Sequence, residues 1–169
     1  EEFPNSMNKL KNINKLSVNA KVLNLRGADN SYGDIPFAQH QAGRGYYLSL
    51  SPSGKFIAGI KTSTSNNLWI TCSVQAPGNM PLNEFTDIAL TWDGTTGILN
   101  GYIDGIQACS KTGVTGKFSD GDLTDFTNVL RVGGNLYGNP MQGKYFKGQI
   151  GTIKLYNRVL SITEIQTIK

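Results

Sequence analysis

Few residues of this 169-residue chain are placed to act as general acids or bases. Only four are Glu, and neither Glu84 nor Glu164 has a second carboxylate two residues away, the spacing that places two side chains on one strand face. Retaining hydrolysis of a glycosidic bond needs two carboxyl groups about 5 Å apart. Asp87 follows Glu84 at three residues' distance, which directs it to the opposite face of a strand. We therefore expect no glycosidase-type carboxylate pair and no enzymatic activity.

The chain also has few residues suited to nucleophilic catalysis. His40 is the single histidine of the chain, so a Ser-His-Asp or Cys-His arrangement would have to use it. It stands between Gln39 and Gln41 in a predicted loop, where a histidine is usually solvated. We interpret His40 as a loop residue rather than a catalytic base.

Two acidic segments have the composition of cation-binding loops. Ca²⁺ takes six to eight oxygen ligands, largely from carboxylates and backbone carbonyls. Asp120 and Asp122 flank a glycine as at the start of a calcium loop, and Asp125 is a third candidate ligand, but the bidentate Glu at position twelve is missing. The second segment is 28–34. We expect both to be solvated polar turns, with Ca²⁺ as the alternative and no other cofactor.

Cys72 and Cys109 are 37 residues apart and do not form a metal-type pair. Both stand in strand-like segments, which favours two free buried thiols. A disulfide would need an oxidising compartment and neighbouring strands, and the sequence leaves that alternative open.

The residues best suited to binding are aromatic and amide side chains in loops. Sugar recognition needs a flat ring beneath apolar C–H faces, with polar groups that hydrogen-bond the hydroxyls. The segment 135–145 has that composition. The candidate carbohydrate-binding residues are Tyr137, Asn139, Gln142 and Tyr145 there, with Tyr32 and Trp69 elsewhere. For each of them a packing role is the alternative.

Charge and composition exclude other classes of partner. The net charge is +4, but only four of the 16 basic residues are Arg, and the lysines are dispersed, which would suit an anionic glycan better than nucleic acid. No apolar run approaches the roughly 18 residues of a membrane span, so we expect a soluble chain without membrane insertion. None of the 16 Asn begins an N-x-Ser/Thr triplet, which favours a bacterial or phage origin.

The elements that must position these residues are mostly strands. Leu16, Val18, Ala20 and Val22 alternate with polar residues and predict a strand with one buried face. About ten strands separated by turn residues predict an antiparallel sandwich or jelly roll. The predicted segments are 16–25, 45–51, 55–61, 68–74, 86–92, 98–103, 106–110, 129–134 and 147–156, and a capping box from Ser161 to Glu164 begins one short helix.

Four segments carry a resemblance to a known family. Residues 85–94 (FTDIALTWDG) and 101–105 (GYIDG) resemble a signature of laminin-G-like jelly-roll domains, in the concanavalin A-like lectin and glucanase superfamily. Residues 130–134 (LRVGG) resemble its L-x-I-G-G strand, and 146–165 resemble its closing segment. The resemblance implies an all-β fold, a two-sheet antiparallel β-sandwich with one short C-terminal helix. Many relatives bind calcium at loop rims.

Departures from the family pattern are local. Phe85 and Lys21 stand where tryptophans are usual, and Gly151-Thr152 replaces an acidic pair. The first family strand is not evident, so we assign residues 1–12 to an N-terminal extension or a degenerate first strand and 13–169 to the jelly-roll domain. In the closing strand, Ile153 and Leu155 share a face that we expect to lie between the sheets.

These observations predict a non-catalytic binding module of an extracellular or cell-surface protein. We expect carbohydrate recognition in adhesion or receptor binding, with a glycan or a cell-surface receptor as partner. The alternative is a structural or protein-binding tip of a fibre or adhesin that binds no glycan. Membership of a larger multidomain or fibre protein is compatible with both hypotheses. The recognisable motif specifies architecture rather than activity.

Overall fold

The structure, a computed structural model, describes residues 2–4, 13–25, 33–39, 45–50, 55–62, 64, 70–73, 80–118, 129–133 and 145–168. Within this part of the chain there are eleven strands and one helix. They are β1 (Glu2–Pro4), β2 (Lys15–Asn24), β3 (Gly33–Gln39), β4 (Gly45–Leu50), β5 (Phe56–Lys61), β6 (Ile70–Ser73), β7 (Phe85–Asp93), β8 (Ile98–Ile103), β9 (Ile106–Lys111), β10 (Val129–Val132), β11 (Gly148–Tyr156) and α1 (Ile162–Thr167).

The strands form two antiparallel sheets. The six-stranded sheet has the order β1-β10-β3-β4-β5-β6, and the five-stranded sheet has the order β11-β2-β7-β8-β9. The predicted two-sheet sandwich with a short C-terminal helix is therefore confirmed. Helix α1 has six residues, and no helix in the described ranges has the length and hydropathy of a membrane span.

The core between the sheets follows from period-two alternation. On β2, Leu16, Val18, Ala20 and Val22 are fully buried, as predicted. Trp92 on β7 is also fully buried, and its Nε1–H donates to the carbonyl oxygen of Val114 at 2.7 Å. The buried indole contributes a large apolar area to the core. Because its N–H is hydrogen-bonded, the loss of water at that group is compensated.

A two-residue turn, Asp104-Gly105, joins β8 and β9. Asp104 and Gly105 both have positive φ, at 48° and 78°. A two-residue hairpin turn needs this conformation at both positions, and Asp-Gly supplies it at low cost. The Asp104 side chain also accepts a hydrogen bond from the Asp87 N–H at 2.9 Å, which ties the turn to β7.

The chain end packs on the outer face of the five-stranded sheet. Ser161 caps α1 and forms the predicted capping box with Glu164. Leu160 and Ile165 are buried against Ala89 and Tyr102, whose side chains point away from the main core. Tyr102 is thus a sheet-face residue, one of the two roles expected for it.

The closing strand departs from expectation at one position. β11 is an edge strand, and its register places Ile153 opposite Ala20 and Leu155 opposite Val18. The two side chains share the core-facing side, and Ile153 packs against the core. Leu155 is 38% exposed, because the outer margin of an edge strand has no neighbour on one side. The expectation that Leu155 lies buried between the sheets is wrong.

Two strands lie outside the nine strand segments predicted from alternation, the first of them within residues 1–12, which the sequence assigns to an N-terminal extension or a degenerate first strand. β1 falls within the first twelve residues and pairs with β10, with Phe3 opposite Leu130. β3 contains Pro36, and its register with β4 shifts between Asp34 and Phe37. A bulge accommodates the missing N–H of proline inside a sheet. Because proline and the bulge interrupt the alternation of side chains, the sequence pattern did not predict this strand.

The cysteines are paired. Cys72 on β6 and Cys109 on β9 form a disulfide with Cα atoms 5.6 Å apart. β6 and β9 are the terminal strands of their sheets, and they lie face to face at the same side of the sandwich. The expectation of two free thiols is wrong. The spacing of the two cysteines in the sequence does not show that β6 and β9 are neighbours, because that depends on the order of the strands in the two sheets.

Candidate functional site

The outer face of the five-stranded sheet is occupied by the chain's own C-terminal segment. The Ser17 hydroxyl donates to the carbonyl oxygen of Arg158 at 2.8 Å and accepts from the Leu160 N–H at 2.9 Å. Near one end of the sheet, Lys21 pairs with Asp87 at 3.5 Å. These contacts cover part of this face with the chain's own residues.

The outer face of the six-stranded sheet has a different character. On β4, Tyr46, Leu48 and Leu50 are fully buried in the core, so the alternate residue Tyr47 points outward. The register places Tyr47 opposite Gly59, and Gly59 opposite Thr71. We define the Tyr47 face as the outward residues around this row: Tyr47 on β4, Ile57, Gly59 and Lys61 on β5, and Thr71 and Ser73 on β6.

The Tyr47 ring lies across Gly59. A Cβ atom at position 59 would stand 2.5 Å from Cζ and 2.9 Å from Cδ1 of the ring, closer than any side-chain contact permits. The ring therefore occupies the space that a side chain at position 59 would need. Tyr47 is half-buried on the outward side of β4. Glycine inside a strand commonly marks such a close approach.

Polar and apolar groups surround the ring. Ile57 and Lys61, on either side of Gly59 along β5, are half-buried, and Thr71 and Ser73 on β6 are exposed. An aromatic ring beside hydroxyl groups and an ammonium group can contact the apolar face of a pyranose and hydrogen-bond its substituents. The described residues of this face include no nucleophile with an adjacent base.

Tyr46 illustrates the contrast between neighbouring tyrosines. It is fully buried, its hydroxyl has no hydrogen-bond partner in the described structure, and burial raises its pKa far above the ordinary value. Tyr46 is a core residue, and the change of face between Tyr46 and Tyr47 follows from the pleat.

Most of the sequence-predicted site residues lie outside the described residues. These are Tyr137, Asn139, Gln142, Tyr32 and Trp69, together with the candidate calcium ligands Asp120, Asp122 and Asp125. Tyr145 is described and is 50% exposed. It is anchored by its neighbour Phe146, which is buried in the core and donates its N–H to the carbonyl oxygen of Gly133 at 3.0 Å.

The described residues that flank these positions lie at different ends of the sheet. Gly133 follows Val132, which pairs with Pro36 in the first half of β3. Ile70, the residue after Trp69, pairs with Ile60, whose partner Tyr46 stands opposite Ala38 near the other end of β3.

Tyr47 and Gly59 were missed by reasoning from the sequence. Adjacent tyrosines in a strand do not show which of them faces outward, and the pairing of Tyr47 with Gly59 requires the hairpin register. The available signal was an isolated glycine within the apolar alternation of β5.

The described carboxylates have structural partners or are solvated. Hydrogen bonds from Arg158 and Ser161 lower the pKa of Glu164 to about 2. Burial acts to raise the pKa of Asp93, but the N–H groups of Thr95 and Thr96 and the charge of Lys15 lower it overall. Glu84 is exposed. Glu164 takes part in the capping box of α1, and Asp93 closes the turn after β7.

A two-sheet antiparallel sandwich, with one outer face closed by its own chain and the other carrying an aromatic ring among polar groups, has the architecture of lectin-like jelly rolls. The Laminin_G_3 family model, described as the concanavalin A-like lectin/glucanases superfamily, matches residues 16–166. The chain belongs to this family. No curated protein matches it significantly.

Solved structures share the fold at low sequence identity. The CBM40 domain of the Ruminococcus gnavus IT-sialidase matches with a TM-score of 0.69 and 17% identity, over 94% of this chain and 84% of that one. A heptameric SAP-like pentraxin from Limulus polyphemus matches with 0.63 and 14%, over 94% and 70%. NanB sialidase from Streptococcus pneumoniae matches with 0.68 and 17%, over 100% of this chain and 26% of the enzyme. At these identities, the likeness establishes the fold.

Proposed function

We propose that the protein is a non-catalytic carbohydrate-binding module of an extracellular or cell-surface protein, acting in adhesion or receptor binding. The observation that carries the proposal is the Tyr47 ring lying across Gly59 on the outer face of the six-stranded sheet. A ring fixed against the backbone offers contact area to a sugar without losing much conformational freedom on binding.

Structures of the same fold support a glycan as the partner. The Ruminococcus gnavus CBM40 domain was solved bound to α2,3 and to α2,6 sialyllactose. The similarity to about a quarter of NanB sialidase is consistent with a module that accompanies other domains. Sialyllactose is therefore a reasonable member of the first glycan panel.

The carboxylates support a non-catalytic role. Glu164 is held by Arg158, Asp93 by its turn and Lys15, and Asp87 by Lys21. A glycosidase needs one carboxyl group that is free to give up a proton beside a second that attacks or activates water. Carboxylates committed to structural ion pairs are poorly suited to either task.

The disulfide supports an extracellular location. Cys72 and Cys109 are joined across the two sheets. Disulfides form and persist in secreted and surface proteins and are rare in the reducing cytosol. The joined pair also stabilises a sandwich that has to persist outside the cell.

The test is a glycan array probed with the full chain, followed by calorimetry on the hits. We expect binding that Tyr47→Ala abolishes and Tyr145→Ala retains. The opposite result would place the site in the segment next to Tyr145, as the sequence predicts. We expect the hits to persist in EDTA; loss of binding in EDTA would instead implicate calcium and the loop that contains Asp120.

The rival function is a structural or protein-binding tip of a fibre. An array without hits, combined with a trimer in light scattering, would overturn the carbohydrate proposal in its favour. A monomer that binds glycans on the array would exclude the rival.

A further inference from the structure

The three strands that form the Tyr47 face carry no acidic residue. The sequence has 12 Asp and Glu, yet none occurs in the 49 residues from Ile35 to Asn83. The same stretch contains Arg44, Lys55 and Lys61. It includes the whole of β4, β5 and β6, the three strands that form the Tyr47 face. The local charge is therefore positive, and this charge complements an anionic ligand.

Lys61 is the cation that β4, β5 and β6 contribute to the Tyr47 face. It lies two residues beyond Gly59 on β5 and therefore points to the same side of the sheet. Its partner on β4 is Gly45, which has no side chain to cover it. Tyr47 is thus the diagonal cross-strand neighbour of Lys61, at a separation of about 7–8 Å that one pyranose ring with its substituents can span.

Among the described residues, the Lys61 ammonium group also has no counter-ion. Lys61 is half-buried and forms no ion pair with any residue that the structure describes. In contrast, Lys15 and Lys21 on the five-stranded sheet each pair with an aspartate at 3.5 Å. A partly desolvated ammonium gains most from a charge-assisted hydrogen bond to a carboxylate.

We propose that the ligand of the Tyr47 face is a pyranose that bears a carboxylate, with the sugar ring on Tyr47 and the carboxylate on Lys61 Nζ. This inference rests on the proposed carbohydrate-binding function and adds the chemical class of the sugar. Thr71, which lies next to Gly59 in the register, supplies a hydroxyl for the remaining sugar oxygens.

The experiment compares acidic sugars with their neutral derivatives. The full chain is titrated with methyl β-D-glucuronide and methyl β-D-galacturonide, each alongside its methyl ester, using ¹H–¹⁵N NMR shifts. The ester keeps the ring and removes only the charge. We expect at least one acid to bind about tenfold more tightly than its ester, and this preference to weaken as salt is raised.

Two lysine variants identify the group that binds the carboxylate. Lys61→Met keeps the apolar stem and removes the ammonium group. It should lower the affinity for the acid to the value for the ester, and the affinity for the ester should not change. Lys111→Met, at an exposed position at the end of β9, is the matched control and should change neither. Thermal melting of both variants verifies that they are folded.

The outcomes separate this inference from the proposed function. Equal affinity for acid and ester in the wild type, or an acid preference that survives Lys61→Met, overturns the assignment of a carboxylate to Lys61. If Tyr47→Ala still abolishes sugar binding in that case, the carbohydrate-binding function stands. Absence of binding by all four probes overturns the inference for uronic acids, while the array decides the proposed function.

Discussion

Gly59→Ala tests the position of the Tyr47 ring without changing any group that would touch a sugar. The added methyl group would stand 2.5 Å from Cζ of the ring, and ordinary contact begins at 3.4 Å, so the ring must move by about 1 Å. Turning it off its preferred rotamer costs about 0.5–1.5 kcal/mol. Alanine is favoured over glycine within a strand by roughly 0.5–1 kcal/mol, so the two effects nearly offset each other.

The expected result is a loss of binding without a loss of stability. Displacing an aromatic contact typically weakens binding by about 1–3 kcal/mol, or about 5- to 150-fold in Kd. The melting temperature should change by less than about 4 °C in a domain of this size. Calorimetry with the best array hit measures the first effect, and differential scanning fluorimetry measures the second.

Gly151→Ala is the matched control for Gly59→Ala. Gly151 is an exposed glycine on β11, and its added Cβ would meet its nearest atom, the Lys21 carbonyl oxygen, at 3.4 Å. This variant should retain full affinity. Unchanged binding by Gly59→Ala would show that ligands do not use the ring, and the search would move to the segment beside Tyr145.

Three further predictions concern stability. Replacing Cys72 and Cys109 by Ala should lower the free energy of unfolding in urea by about 3–4 kcal/mol, given the 37-residue separation; a loss below about 1 kcal/mol would mean that the thiols are not joined. Ile153→Asp should destabilise the domain by several kcal/mol and Leu155→Asp by less than about 1, because only the first packs against the core; equal urea midpoints would contradict this register. The lowered pKa of Glu164, about 2, means that its stabilising contribution is complete above its unfolded pKa, near 4.3, and is lost as the pH falls towards 2. Glu164→Gln should therefore reduce the change of the urea midpoint between pH 6 and pH 2.5. An unchanged pH dependence of the midpoint would refute the pairing of Glu164 with Arg158.

The parts of the fold that sequence predicts are those with a local cause. The alternation of β2, the Asp104-Gly105 turn and the Ser161 capping box each depend on residues within a few positions of one another. β3 fails this condition because Pro36 breaks the alternation, and it is accommodated by a bulge visible only when β4 is in place.

The parts that sequence does not predict depend on sheet order. Cys72 and Cys109 become neighbours because β6 and β9 are both terminal strands on one side of the sandwich. Leu155 has the burial pattern of a core residue but lies on an edge strand. These facts are non-local, and the hydrophobic pattern of a strand fixes its buried face without fixing its neighbours.

The candidate site shows the same limit. Loop composition drew attention to Tyr137 and Tyr145, because tyrosines and amides outside strands have no evident packing role. The Tyr47 ring could not be recognised in this way, since its distinguishing property is the glycine opposite it on another strand. A single glycine in β5 was the only trace of that arrangement in the sequence.

The covalent link between the two sheets also determines how the protein responds to mechanical tension. A pull on the two chain ends is transmitted directly from Cys72 to Cys109, so the residues between them carry no force. This shielded length includes β7 and β8, two adjacent strands of the five-stranded sheet. At roughly 3.3–3.6 Å per extended residue, about 120 Å of chain cannot be drawn out while the disulfide is intact. Under load, the oxidised protein therefore extends less than the reduced protein by the length of this shielded segment.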